Sequence, residues 1–334
     1  MKVVIPGGGG QVGTILARWL HARGDEVVVL SRRASTGDAA AGWRTVAWDG
    51  RSVGGWAGEA DGADVVINLA GRSVNCRYTA ENMRQIMDSR VASTRAVGQA
   101  IAAANRPPRL WLQASTATIY AHRFDAANDE MTGQIGGGEP GAPGYWKFSI
   151  DVAQAWEREQ EVAATPHTRK VALRSVLTLS PDRGGIFDVL LRLVRFGLGG
   201  RSGDGRQWVS WVHEHDFTAA LDFLMRRGDL AGPVNIAAPH PLPNASFMAE
   251  LRRAWGAKLG LPAARWVLEA GAVLMRTDTE LVLKSRRVVP GRLLEAGFEF
   301  AYPTWPEAAA DLVARWRAGG RENRQDAKSA KVLQ

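Results

Sequence analysis

Apolar and polar positions along this chain alternate between two rhythms. Val3-Val4-Ile5-Pro6 is an unbroken apolar run, the pattern of a short strand buried on both faces. A glycine stretch interrupts it, Thr14 to Arg23 follows with helical periodicity, and Glu26-Val27-Val28-Val29-Leu30 reads as a second buried strand. Further on, Trp43 to Trp48 predicts a short strand, Asp64 to Gly71 a buried strand ending in small residues, and Glu81 to Ala104 a long helix. Arg109 to Ser115 predicts a strand, Ile150 to Ala163 a helix, and Arg169 to Leu179 another strand. Strands alternating with helices imply a parallel sheet covered on both faces, an α/β architecture.

The rhythm changes near residue 180. Glycine-rich loops appear at Gly184-Gly185, Gly197 to Gly200 and Gly203 to Gly205, followed by a short strand at Pro233 to Ala237. A helix at Ser246 to Trp255 and an Arg/Leu-rich helical segment at Val267 to Leu283 come next. The expected organisation is a nucleotide-binding domain over 1–180, with strand contributions from 205–240, a smaller C-terminal substrate lobe over 181–316, and a flexible tail over 317–334.

The glycine stretch carries the first chemical signal. Gly7, Gly10 and Gly13, with Gln11 and Val12 between the last two, follow a strand and open a helix. Gly7 lets the chain turn out of the strand, Gly10 lets backbone approach a pyrophosphate, and Gly13 lets helix and sheet pack closely. Phosphates would then face the free N–H groups at the helix start. This is a Rossmann-type, doubly wound dinucleotide site. At the end of the second strand, where an acidic residue would bind a ribose 2′-hydroxyl, the chain reads Ser31-Arg32-Arg33. A guanidinium pairs with a 2′-phosphate, so NADP is favoured over NAD; the plainer alternative is two solvated surface charges.

Composition narrows the partners. The chain is 46% hydrophobic and 23% charged, and it lacks an apolar run near the roughly 20 residues of a membrane span. Met1-Lys2 leads straight into a strand, so cytoplasmic residence is the default and no membrane partner is expected. Cys76 is the single cysteine, and the six histidines show no ligand spacing, so no metal is expected. The net charge of +8 suits an anionic cofactor or substrate; part of it sits in the tail between Arg315 and Lys331, and no nucleic-acid motif accompanies it. A monomer and a homodimer both remain open.

These residues resemble the extended short-chain dehydrogenase/reductases, the NAD(P)-dependent epimerase/dehydratase group. The glycine pattern, Asn68-Leu69-Ala70-Gly71 and Ala114 to Tyr120 all fit. A narrower resemblance is to a sugar-nucleotide epimerase branch with a C-terminal domain of unknown function, through Asp88-Ser89-Arg90-Val91, Gly205 to His213 and Arg292 to Phe298. The resemblance implies that Leu69, Ala70 and Gly71 lie under the nicotinamide ribose. It places Arg90 where the family commonly has an asparagine, and Ala114 and Ser115 near the nicotinamide. Thr116 would bond the substrate oxygen, or merely cap the strand end.

The family's chemistry uses a tyrosine and a lysine four residues later on one helix face. This chain lacks that pair. Ser149 stands four residues after Tyr145, and Lys147 is two away; if Trp156-Glu157 sets the register, the two slots hold Ser149 and Ala153. Tyr145 could act with Lys147 reaching in from a loop, and Tyr120 is a second candidate acid. On the substrate side Trp208, Trp211 and His213 could line a flat apolar pocket suited to a ring; Val209 stands where many members place a phosphate-binding arginine, a role Arg206 could take in part. Lobe packing of the tryptophans and a structural histidine are the competing readings. Asp216 reads as the N-cap of a helix. Two functions follow. One is an NADP-dependent epimerase-like or reductase-like enzyme, acting on a sugar nucleotide or small carbonyl or hydroxyl substrate through Thr116, Tyr145 and His213. The other is an NADP-binding sensor or scaffold with little turnover.

Overall fold

The computed structural model describes residues 1–32, 42–140, 142–263 and 280–332. Along the first half come β1 (Lys2–Pro6), α1 (Gln11–Ala22), β2 (Glu26–Ser31), β3 (Arg44–Ala47), β4 (Val65–Asn68), α2 (Ala80–Ala103), β5 (Leu110–Thr116), α3 (Lys147–Glu161) and β6 (Arg169–Ser175). The second half adds β7 (Leu177–Leu179), α4 (Ile186–Arg195), β8 (Trp208–Val209), β9 (Trp211–His213), α5 (Glu214–Arg226), β10 (Gly232–Ile236) and β11 (Leu242–Pro243). It closes with α6 (Asn244–Trp255), α7 (Glu280–Leu283), α8 (Gly291–Glu295) and α9 (Trp305–Val332).

Seven strands form one sheet in the order β3-β2-β1-β4-β5-β6-β10, every neighbouring pair parallel. Chain order reverses between β1 and β4, and ligands in such sheets sit beyond the strand ends at that reversal. Side chains alternate across the sheet. Val3, Ile5 and Ile67 point into a layer with Leu16 and Leu20 of α1 and Phe217 and Leu221 of α5. Val4, Val28 and Val66 point the other way, against Val97 and Ile101 of α2 and the indole of Trp111. Burial on both faces is why these strands read as continuous apolar runs.

Several boundaries differ from the periodicity. The run Arg169 to Leu179 breaks at Val176 into β6, inside the main sheet, and β7, which pairs with β9 outside it. The helix expected from Ile150 begins at Lys147. The short strand expected at Pro233 to Ala237 is β10, the sheet's seventh strand, a contribution to the sheet from within 205–240. Of the predicted segment Val267 to Leu283, residues 267–279 lie outside the described residues, and the remainder is α7. The backbone of the 317–334 tail is helical as far as Val332. A second core, with Phe187, Leu191, Trp211, Phe247 and Leu312, gathers around Trp305, which stacks on Phe247 at 4.1 Å. Among the described residues no helix is long and apolar enough to cross a membrane.

Candidate functional site

The turn after β1 is shaped by contacts that exclude side chains. Gly7 has φ +76°, and a Cβ there would lie 2.5 Å from the Ala70 Cα, so the first glycine serves both the turn and the packing of β1 against the end of β4. A Cβ on Gly13 would drive into the backbone of Gly8, which fixes α1 tightly on the turn. Gly10 is the exception. It is the N-cap of α1, offers no side-chain cap, and would meet nothing within 4 Å of an added Cβ. Two glycines are consumed by the fold, and the third leaves a helix N-terminus open to a ligand's phosphate groups.

That opening belongs to a cleft of about 810 Å³ lined by Gly7, Gly10, Ser31, Arg32, Leu69, Ala70 and Gly71. These seven predicted cofactor residues are therefore brought together. Arg33 lies outside the described residues. Other predicted residues support the cleft from behind. Gln11 donates its amide to Ser180 Oγ at 3.1 Å, tying α1 to the loop after β7. Val12 packs against the main core. The Arg90 guanidinium donates to the Arg72 and Ile86 carbonyls at 3.0 and 3.1 Å, stacks 4.8 Å from the Trp156 ring, and presses on Gly71. Burial lowers its pKa to about 10, so Arg90 is a cation at neutral pH.

Sequence reasoning missed two arginines at the same end. Arg51 and Arg72 line the cleft beside Arg32, and the three share an adjoining hollow of about 710 Å³. Arg51 rides on a loop held by two indoles: Trp48 and Trp56 both donate to the Ser52 carbonyl at 2.9 Å. Arg72 Nη2 donates to Asn82 Oδ1 at 2.7 Å. The signal was present as Asp49-Gly50-Arg51, a turn directly after a strand that faces the cleft.

The residues expected beside the nicotinamide and substrate are held in local networks of their own. Ala114 is half-buried in β5, and Ser115 donates to Glu157 Oε1 at 2.6 Å, within a network where Arg174 also holds Glu157. Thr116 Oγ1 accepts the Thr118 N–H at 3.1 Å and donates to Thr118 Oγ1 at 3.0 Å, capping the turn that follows β5. The Tyr120 hydroxyl donates to Asn235 Oδ1 at 2.9 Å and accepts from Arg174; burial pushes its pKa up. Tyr145 stands 44% exposed on the turn Gly144–Trp146. Lys147 pairs with Asp151 on the outer side of α3. Thr116 is thus bonded within its own turn, and Lys147 to its own helix.

His213 lies in the second half of the chain, at the end of β9. Its Nδ1 accepts the His215 N–H at 3.1 Å as the N-cap of α5, its Nε2 sits 3.0 Å from Asp311 Oδ2, and its ring stacks 3.9 Å from Tyr302. Both ring nitrogens are engaged, and burial lowers its pKa to about 4. Asp216, read as the N-cap, instead accepts the N–H groups of Ala301 and Tyr302 at 2.9 Å from inside α5. Trp211 is fully buried in the second core, 5.1 Å from Trp305. Trp208 is half-buried beneath the Arg287 guanidinium at 4.2 Å.

Comparison with known proteins agrees with this geometry. A profile of the NAD dependent epimerase/dehydratase family matches residues 3–237, and one of a domain of unknown function, DUF1731, matches residues 263–312. The chain is 30% identical over 319 residues to the epimerase family protein SDR39U1 of Bos taurus, covering 94% of this chain and 100% of that one. It is 28% identical over 316 residues to the epimerase family protein SAR0825 of Staphylococcus aureus strain MRSA252, covering 94% and 99%. The crystal structure of human SDR39U1 (isoform 2) with NADPH superposes with a TM-score of 0.81 at 27% identity, covering 94% of this chain and 99% of that one.

Proposed function

This chain belongs to the NAD dependent epimerase/dehydratase family, and from that premise we propose that it binds NADP(H) and acts as an epimerase-like or reductase-like enzyme on a sugar nucleotide or a small carbonyl or hydroxyl substrate. The observation that carries the reading is the open helix N-terminus at Gly10 within a cleft that ends at Arg32. The fit is specific: backbone N–H groups suit a pyrophosphate, and Arg32 suits a 2′-phosphate, with Arg51 and Arg72 adding positive charge nearby. The human relative crystallised with NADPH supports the same choice of cofactor. When bound, the nicotinamide supplies a hydride acceptor or donor; the chain's own residues hold it, exclude water and move protons.

The test is a fluorescence titration with NADPH and NADH, followed by stereospecific hydride exchange between labelled NADPH and a panel of carbonyls and sugar nucleotides. Preference for NADPH together with transfer supports the reading. Equal affinity for the two cofactors removes the NADP assignment. A second reading is favoured by the exposed Tyr145 and the outward Lys147–Asp151 pair: a cofactor-binding sensor or scaffold. Tight NADPH binding without any transfer would select it.

A further inference from the structure

A buried ion pair reaches the mouth of β5 beside α3, the helix on which the family's tyrosine and lysine would be expected. Glu280, at the start of α7, and Lys284, just past its end, are one helical turn apart, each side chain 1% exposed. The carboxylate faces two ways. Glu280 Oε1 lies 3.4 Å from Lys284 Nζ, and Oε2 accepts the Ser149 hydroxyl at 2.6 Å. Lys284 Nζ also donates to the Thr118 carbonyl at 2.9 Å, just beyond β5. Ser149 is half-buried, and its Oγ lies 3.5 Å from the hydroxyl of half-buried Tyr78. Tyr78 is close enough to Arg90 to act on its charge, and Arg90 presses on Gly71 at the cleft. A run of polar contacts thus links the buried ammonium through Glu280 and Ser149 to Tyr78, which lies on the Arg90 side of the protein.

Ser149 occupies the tyrosine slot when Trp156-Glu157 sets the register, so this line meets the vacancy in the expected chemistry. A buried ion pair is a poor way to stabilise a fold, because desolvation consumes most of the attraction. Burial lowers the Lys284 pKa, Glu280 and Glu139 oppose that shift, and Arg286 adds to it. An apolar pair of similar volume would join α7 to the sheet at least as well, so the charges need another explanation.

We infer that Ser149, Glu280 and Lys284 form a proton relay that replaces the absent tyrosine–lysine pair for a secondary alcohol or its ketone. The inference rests on the NADP(H) reading above. As the alcohol is oxidised, its O–H proton passes to Ser149 Oγ while the Ser149 proton passes to the Glu280 carboxylate. The C–H electron pair leaves as hydride to the nicotinamide, and the C=O bond forms; ketone reduction runs the same transfers in reverse. Ser149 touches the substrate oxygen, Glu280 stores the proton, and Lys284 is a positioning residue that holds the carboxylate toward Ser149.

The experiment compares Ser149→Ala, Glu280→Gln and the charge-free double variant Glu280→Leu/Lys284→Met in the full chain. Each is measured for thermal midpoint, NADPH affinity and NADPH consumption with phenanthrenequinone. Glu280→Gln leaves Lys284 buried without its carboxylate and is expected to melt lower; the double variant is expected to recover the wild-type midpoint. The relay predicts that Ser149→Ala and the double variant keep the midpoint, the NADPH affinity and the KM for NADPH, and lose about 100-fold in kcat. A double variant that does not recover its midpoint makes the pair a structural tie and overturns the relay. One that melts and turns over like wild type overturns it too, while leaving the cofactor reading intact. Wild-type protein that binds NADPH and consumes none overturns the enzyme reading, and the relay with it.

Discussion

The two ends of the cofactor cleft are built on different principles. At the proposed phosphate end, Lys2 to Arg32 form one strand–turn–helix–strand unit, and backbone geometry does most of the work. At the proposed relay, side chains arrive from distant segments: Ser149 meets Glu280 across 131 positions, and Lys284 meets Thr118 across 166. Recognition of a phosphate by backbone N–H groups needs only small residues in the right local order. Acid–base chemistry needs specific side chains at one point, and a fold can deliver those from any element whose end reaches it. The first end is therefore constrained by local sequence, and the second is free to be rebuilt.

The largest expected effect tests the first end. Gly7→Val puts a β-branched side chain at φ +76° and against the Leu69–Ala70 backbone. We expect a loss of about 3 kcal/mol or more in stability, read from urea unfolding. Gly10→Ala is the contrast, since its Cβ meets no protein atom within 4 Å. It should keep stability within about 0.5 kcal/mol while weakening NADPH at least about tenfold. If both variants unfold alike, the turn is only structural and the comparison between the ends collapses.

The difference in construction also explains what could be read in advance. The order of strands and helices, the glycine turn and the Ser31-Arg32 end of β2 all show in local pattern, because each is a property of adjacent residues. Arg51 and Arg72 escaped because a surface arginine looks the same whether or not the sheet places it beside a cleft. Glu280 and Lys284 escaped because an i, i+4 pair ordinarily faces solvent; here the pair is buried, with Glu280 on Ser149 and Lys284 on Thr118. Asp216 misled because an aspartate at a helix start usually caps it, whereas here His213 takes that place and Asp216 anchors the Ala301–Tyr302 backbone.

The next effect separates the regions by pH. The glycine turn carries no titrating group, whereas His213 faces Asp311, Asp216, Arg315 and Tyr302. Its pKa is about 4 in the fold, against an ordinary 6.5. As pH falls below about 6.5 the unfolded chain takes up a proton that folded His213 refuses, so stability present above that pH is lost progressively down to about pH 4. Over that interval the loss should reach about 3 kcal/mol. Urea midpoints at pH 7 and pH 5 should show about 2 kcal/mol of it in wild type and less in His213→Gln. Equal slopes in the two proteins would mean that His213 titrates as it would in water.

Arg32→Ala sharpens the phosphate end on a smaller scale. Arg32 lines the cleft and the adjoining hollow with Arg51 and Arg72. Removing one guanidinium should weaken NADPH by about ten- to a hundredfold, some 1.4 to 3 kcal/mol, and leave NADH nearly unchanged. The thermal midpoint should not move. A loss shared by both cofactors would place Arg32 against the pyrophosphate or adenine instead, and would move the NADP preference to Arg51 or Arg72.

The smallest effect is expected where family resemblance would look first. Tyr145 is 44% exposed, and the Lys147 ammonium is committed to Asp151 on the outer side of α3. A phenol that gives up a proton in a hydride-transfer site needs shelter from water, and a side chain 44% exposed has little of it. Tyr145→Phe and Lys147→Met should therefore leave kcat for NADPH consumption with phenanthrenequinone within about twofold of wild type, in the assay where Ser149→Ala loses about 100-fold. The reverse result, a collapse in Tyr145→Phe with Ser149→Ala unaffected, would require the α3 start to close inward on the bound substrate. The reaction end would then keep the family's tyrosine in a displaced register, and α7 would contribute packing alone.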